Sequence, residues 1–244
     1  MQPDFMQLRS KIGLQIPLIG FYDAPATAAF APFAEPQAGT RICVFAFYQQ
    51  WLQGKMLHLT KENFGCGGAG RCLFGVQTRS RQDFVKFLVE DEGLKASPEL
   101  MNQWIDATPL YQPEHKNIFI GPLKPSQYQY LKSVTFYVNP DQLSLLLIGA
   151  QYESSPTDPL PAIVPFGSGC MQLAPLFADL NVPQAIVGAT DIAMRQFLPP
   201  EVLAFTVTRP MFERLCSLDD RSFLAKPFWQ RLKHARHQAR NAQS

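Results

Sequence analysis

Ser133 to Val138 is an apolar, β-branched and aromatic run, and Asn139-Pro140-Asp141-Gln142 follows it with no residue between. Asn caps a helix, proline suits its first turn, and a glutamine at the third position reaches back to the cap. A strand that hands over directly to a capped helix constrains the chain to a layered fold. The same alternation recurs. Ile16 to Tyr22, Met56 to Thr60, Ala162 to Phe166, Ala185 to Ala189 and Leu203 to Thr208 read as strands. Between them lie helix patterns. Thr40 can cap a helix to about Gln53 with Gly54 ending it, against a competing strand at Ile42 to Phe47. Ser80 with Asp83 opens a helix carrying Phe84, Phe87 and Leu88, and Ser97-Pro98-Glu99 opens another carrying Leu100, Trp104 and Ile105. Thr190 caps a short helix before Pro199-Pro200, and Pro210 begins a last core helix with Met211, Phe212 and Leu215. Ala24 to Gly39 and the proline-rich stretch Pro109 to Pro125 read as irregular. The fold class expected is α/β or mixed α+β, with helices around one sheet. One globular domain spans 1–226 and a basic tail spans 227–244.

A faint internal repeat accompanies this pattern. Strand, helix and strand lead into Phe64-Gly65-Cys66-Gly67, and again into Phe166-Gly167-Ser168-Gly169-Cys170. Chance likeness between two strand-to-glycine junctions is the competing explanation.

Charge narrows the function classes. Only 17% of residues are charged and the net charge is +2, so nothing directs the chain to nucleic acid or to an anionic membrane. No apolar run approaches the ~18 residues of a membrane span, the longest candidate being Leu143 to Ala150. Pro17 interrupts the one leader-like stretch, Ile12 to Phe21, and Asp4 precedes it where positive charge belongs, although Ala24 to Ala31 resembles a cleavage site. Five cysteines, an odd number, do not make a disulfide framework and suit a reducing cytoplasm.

Gly65-Cys66-Gly67-Gly68-Ala69-Gly70-Arg71-Cys72 is the most unusual run in the chain. Glycines so dense carry an entropic cost, and they let backbone N–H groups converge on an anion. A helix starting near Ala69 adds its dipole, and Arg71 a guanidinium fork for phosphate or carboxylate. The competing reading is a tight turn with close packing. The spacing approaches a nucleotide-binding P-loop, but Arg71 replaces the lysine and Cys72 the hydroxyl residue, and a thiol is a poor magnesium ligand.

Cys66 among glycines and Cys170 in a similar loop could converge, to hold a soft metal or cluster or to form a redox pair. Cys66-x5-Cys72 is not a standard zinc or iron–sulfur spacing. Cys43 and Cys216 lie on apolar helix patterns and read as inert core residues. His58 reads as a satisfied histidine on a strand, His115 shows no partner in the sequence, and His234 with His237 reads as part of a solvated basic helix. No Ser-His-Asp order or carboxylate pair is visible.

Taken together, Cys66-Gly67-Gly68 after a strand, Asn139-Pro140-x-Gln142 at a helix start, and the later Cys170 resemble domain of unknown function family 169, a prokaryotic family. Gly188, Asp191, Arg195 and Phe205 are similar to its C-terminal pattern, and the resemblance runs from about Leu8 to Leu215. It implies a bacterial or archaeal cytosolic protein and brings no established reaction. Cys72 and the basic tail lie outside the pattern.

The reading reached from the residues is a ligand- or cofactor-binding protein, redox-active or dependent on an anionic cofactor. Its site would be built from Cys66, Gly67, Gly68, Arg71, Asn139, Gln142 and Cys170 and would take a small anionic ligand or cofactor. Asn139 and Gln142 sit at the carboxyl end of a strand, where α/β proteins bind ligands, although capping alone also explains them. The rival class is a structural or partner-binding module without catalysis, with a packed glycine loop, buried cysteines and no pocket. A thiol enzyme with Cys66 as nucleophile comes third, because no base can be assigned. Neither the cofactor nor the oligomeric state is fixed by these residues.

Overall fold

Asp4 accepts a hydrogen bond from the Gln7 amide and caps α1 (Phe5–Ile12), which Gly13 ends in the left-handed conformation. The computed structural model describes residues 4–30, 33–36, 42–174 and 180–241. Then come β1 (Ile19–Asp23), β2 (Phe33–Ala34), α2 (Tyr48–Leu52) and β3 (Met56–Thr60). A helical block follows, formed by α3 (Gly67–Phe74), α4 (Arg81–Lys86) and α5 (Pro98–Ala107). The first half closes with β4 (Asn117–Pro122). The second half holds β5 (Leu131–Val138), α6 (Pro140–Gln151), β6 (Ala162–Ile163), α7 (Gly169–Leu173), β7 (Ala185–Gly188), α8 (Ile192–Arg195) and β8 (Leu203–Thr208). Helices α9 (Arg209–Cys216) and α10 (Pro227–Asn241) end the described chain.

The fold is mixed α+β. Among the described residues, all strands form one eight-stranded sheet in the order β2-β3-β4-β1-β5-β8-β7-β6. The edge pairs β2/β3 and β6/β7 are parallel, and every other pair is antiparallel. Read outward from the central β1/β5 pair, the two halves have the same order: first, fourth, third, second strand of each half. The chain therefore repeats at the level of sheet topology. The two Gly/Cys loops are not equivalent within that repeat. One follows β3, the third strand of its half, and the other follows β6, the second strand of its half.

Helices cover both faces of the sheet. Side-chain alternation along β5 divides them: Val134, Phe136 and Val138 face one core, and Tyr137 faces the other. The first core is closed by α1, α6, α9 and Trp229 of α10. The second is closed by the 3-10 turn Val44–Phe47 with α2, and by α3, α7 and α8. Ser133 Oγ in the sheet donates to Leu173 O at 2.7 Å and fixes α7 against β5.

The helical reading of Val44 to Leu52 holds over the competing strand, with Gly54 at φ +92 after it. Thr40, the expected cap, lies outside the described residues. The stretch Pro109 to Pro125 was expected to be irregular, yet it contains β4, one of the central strands. Its prolines lie outside the ladder or at its last residue, and Ile118, Phe119 and Ile120 are buried between β3 and β1. Segment 227–241, expected as part of a tail, is the helix α10. Trp229 is buried and donates to Lys11 O at 2.7 Å, and Arg236 pairs with Asp141 at 2.7 Å.

Candidate functional site

Gly65 turns the chain after β3 with φ +82, a conformation that favours glycine. A Cβ there would also stand 2.8 Å from Ile42 O, so the turn packs directly on the strand-like entry to the Val44–Phe47 turn. The next residue, Cys66, is the N-terminal cap of α3. The Cys43 thiol and the amides of Ala69 and Gly68 favour its thiolate form. The glycines allow crowding here rather than φ > 0 at Gly67, which is helical. A Cβ on Gly70 would stand 2.5 Å from the Phe64 ring.

A methyl on Gly68 would stand 3.8 Å from the Cys66 sulfur and 3.9 Å from both the Cys170 sulfur and Ser168 Oγ. The two sulfurs expected to converge thus both stand within 4 Å of one point. Ser168 Oγ lies 3.2 Å from the Cys170 sulfur. Cys43, expected to be inert in a core, is partly buried against the second core, and the Gly65 turn packs on Ile42 beside it. Cys216 is far from this group in the fold, on α9 in the other core. No disulfide links the five cysteines, and among the described residues no group of three or more His, Cys, Asp or Glu is disposed to hold a metal ion.

The thiols differ in acidity. The Cys43 thiol and the α3 amides lower Cys66 to about 6, against the opposing effect of burial. Cys43 is raised by donating to Cys66 and by burial. Cys72 is lowered, first by the Cys170 thiol, with Ser168 and the Arg71 charge adding to it. Cys170 is raised well above the usual thiol range by donating to Cys72 and by complete burial.

These residues form one wall of a cavity of about 390 Å³. Cys66, Gly67, Gly68, Arg71 and Cys72 line it from α3. The opposite wall is the helical block 81–107, whose own small core is Val85, Leu88, Met101 and Ile105. Arg81 clamps that block, reaching Asn102 Oδ1 and Asp106 Oδ1 at 2.7 Å each. The helix of α4 continues as a π turn over Phe87–Asp91, which sets Phe87 and Leu88 against the cavity. Trp104 of α5 meets Phe166 edge-on at 5.1 Å, joining the block to the loop after β6. Three cations lie over rings around this space. Arg71 is 5.5 Å from the Phe84 ring, Arg79 is 4.3 Å from Phe87, and Lys95 is 4.0 Å from Phe166. A smaller recess of about 100 Å³ opens beside the first and shares Gly67, Arg71, Thr78 and Arg79 with it, adding Gln77 and Arg81.

The far end is set by α7 and α8. Buried Gln172 accepts the Ala189 amide at 2.8 Å and donates to Thr190 Oγ1 at 3.0 Å, holding Ala189 at φ +62. Thr190 was expected to cap α8. With its hydroxyl bound by Gln172, the cap falls to Asp191, which accepts the Ala193 amide at 3.0 Å and the Gly169 amide at 3.3 Å. Thr190 and Asp191 both line the cavity.

Of the expected site residues, Cys66, Gly67, Gly68 and Arg71 line the cavity, and Cys170 stands behind its wall. Asn139 and Gln142 do not belong to it. Each side chain accepts the other's amide, at 2.9 and 3.1 Å, and Gln142 Nε2 donates to Gly13 O at 3.0 Å. They cap α6 on the opposite face of the sheet. His58 is held by Glu35 at 2.7 Å and Asn117 at 3.0 Å. His115 does have a partner, the buried Asp23 carboxylate at 3.3 Å. Sequence reasoning missed the aromatic wall of the cavity. Its signal was the Phe84, Phe87 and Trp104 faces of two adjacent helices, which read equally well as ordinary core.

No described helix is long and apolar enough to cross a membrane. No curated protein and no solved structure matches the chain. A family model matches residues 7–217, from within α1 to just beyond α9. That span includes the whole sheet, the thiol cluster and the cavity, and by it the chain belongs to the uncharacterised ArCR family, domain of unknown function 169.

Proposed function

We propose that this chain is a ligand-binding protein of the prokaryotic cytoplasm, whose ligand has an apolar, ring-bearing body and an anionic group. The observation that carries the reading is the cavity of about 390 Å³ between the thiol-bearing α3 and the aromatic block 81–107, with the arginine-lined recess opening from it. Its size suits a small molecule or cofactor. Phe84, Phe87, Trp104 and Phe166 offer ring faces and edges to the ligand body. Arg71 and Arg79 border both spaces, so an anionic group placed between them would make charge-assisted hydrogen bonds. The cations lie over aromatic rings, where a ligand anion can engage them without first breaking a strong ion pair. The rival structural module would have a packed glycine loop in this place, and the cavity favours the ligand-binding reading over it.

The test uses 1-anilinonaphthalene-8-sulfonate, an aromatic anion that fluoresces in apolar surroundings. Saturable binding at one site is expected, with energy transfer from Trp104. Arg71→Ala should weaken it about tenfold or more, the size of one lost charge-assisted contact. Absence of saturable binding, or equal affinity in Arg71→Ala and Trp104→Ala proteins that keep native circular dichroism, would overturn the reading.

A further inference from the structure

The recess of about 100 Å³ beside the main cavity is lined mostly by polar groups. The connection from α3 to α4 gives it Gln77, Thr78 and Arg79, and α3 gives it Gly67 and Arg71. Gly67 makes this closeness possible. A Cβ there would stand 2.8 Å from Thr78 Oγ1, so the connection lies directly on the first turn of α3. Gly67 is helical and not left-handed, so lack of space, and not backbone conformation, excludes a side chain.

Arg71, Arg79 and Arg81 all border the recess, and they are not equivalent. Arg81 is engaged by the helical block, with Asp106 Oδ1 and Asn102 Oδ1 at 2.7 Å each. Among the described residues, Arg71 and Arg79 form no ion pair and donate no side-chain hydrogen bond. Asp106 feels the Arg71 charge and the exposed Glu92 feels that of Arg79, both from beyond ion-pair distance. Each free guanidinium is set over a ring, Arg71 over Phe84 and Arg79 over Phe87. Two guanidinium forks are therefore available at one recess, with the Thr78 hydroxyl and the Gln77 amide beside them. One fork already satisfies both oxygens of a carboxylate, which lie in one plane. A phosphoryl group presents three terminal oxygens in different directions and close to two negative charges at neutral pH. It can use both forks and the hydroxyl at once.

We infer that the ligand is an aromatic phosphate monoester, with its phosphoryl group in the recess between Arg71, Arg79 and Thr78 and its ring in the cavity. The inference rests on the ligand-binding reading and narrows the anionic group of that ligand to a phosphoryl. The orientation follows from burial. Gln77 and Arg79 are exposed, so the phosphoryl end faces solvent, while Leu88, Met101 and Met171 are buried and receive the ring end. Phe84 lines both spaces and marks the junction between ring and phosphate.

Titration calorimetry on the full chain tests this with 1-naphthyl phosphate, 1-naphthalenesulfonate, 1-naphthoate and inorganic phosphate. It is run at about pH 8, above the second phosphate ionisation near 6. The ring is the same in the first three; the sulfonate keeps three terminal oxygens with a single charge, and the carboxylate is planar. Naphthyl phosphate should bind about tenfold or more tighter than either, the size of one further charge-assisted contact. Inorganic phosphate, lacking the ring, should bind at least about tenfold more weakly than naphthyl phosphate. Arg79→Gln should bring phosphate and sulfonate within about threefold of each other. Gly67→Ala places a better helix former in α3 and pushes the Thr78 hydroxyl aside, so it should weaken naphthyl phosphate more than naphthoate. Equal affinity for the three naphthalene anions, or a phosphate preference that survives Arg79→Gln, overturns the phosphoryl assignment and leaves ligand binding in place. Equal affinity for inorganic and naphthyl phosphate overturns the aromatic monoester. Absence of saturable 1-anilinonaphthalene-8-sulfonate binding to the wild-type protein overturns the ligand-binding reading and this inference with it.

Discussion

Asp23 is fully buried at the end of β1, and its two carboxylate oxygens hold the loop that leads from α5 into β4. Oδ2 accepts the Tyr111 hydroxyl at 3.0 Å and the Glu114 amide at 2.7 Å. Oδ1 accepts the His115 amide at 2.9 Å, with His115 Nδ1 at 3.3 Å. Tyr111 in turn donates its amide to Cys72 O at 2.9 Å, so this carboxylate also steadies the end of α3. Asp23→Asn preserves volume and replaces one acceptor oxygen by an NH2 group. Whichever way the amide is turned, that NH2 faces a backbone N–H, of Glu114 or of His115, which cannot rotate away. One charge-assisted hydrogen bond is lost, worth about 1.5–3 kcal/mol, and a buried donor is left unpaired at about 1–3 kcal/mol. The expected loss is about 3–5 kcal/mol, or roughly 10 °C in melting temperature for a chain of this size. Tyr111→Phe removes only one hydrogen bond and should cost about 1.5 kcal/mol. Urea unfolding followed by tryptophan fluorescence measures both. A change below about 1 kcal/mol for Asp23→Asn, or one no larger than that of Tyr111→Phe, would refute the donor-counting argument.

Three further outcomes follow from the same geometry. Asn139→Ala should destabilise by about 1 kcal/mol through the lost cap and leave binding of the anilinonaphthalene probe unchanged; weakened binding with unchanged stability would return Asn139 to the site. Trp229→Ala removes a buried ring and its hydrogen bond to Lys11 O, so thermal unfolding should show a loss near 3 kcal/mol, and a loss under about 0.5 kcal/mol would mean that α10 is not part of the domain. The lowered Cys66 stays a thiolate down to about pH 6, whereas burial raises Cys216 to about 12. Iodoacetamide at neutral pH should therefore alkylate the peptide of Cys66 before that of Cys216, and acidification through pH 6 should abolish the difference; a reversed order would contradict the acidity assigned to Cys66.

Much of the fold is a local matter and was legible in the residues. β3, β5, β7 and β8 follow from short apolar runs with turn residues at their ends. The cap at Asn139 follows from side chains that reach only three residues along the chain. The glycine run marked one wall of the cavity because a cluster of glycines without a backbone reason would be costly. The sequence also suggested that the Cys66 and Cys170 loops meet, since both leave strands of one sheet.

Partnership across the sheet was decided only by the tertiary structure. β4 lay hidden among prolines because their exclusion from the ladder depends on register, which no local pattern states. Asn139 and Gln142 looked like site residues until the face of α6 was known, and a strand's carboxyl end does not say on which side its helix will pack. Cys43 was read as core from its apolar neighbours, and it does pack on the second core, but only the left-handed Gly65 turn against Ile42 O brings the Cys66 loop onto its segment. The aromatic block was invisible for the same reason: Phe84, Phe87 and Trp104 satisfy a helix's apolar face whether they fill a core or wall a cavity. A residue's neighbours along the chain set its backbone, but the space in front of its side chain is set by segments tens of residues away.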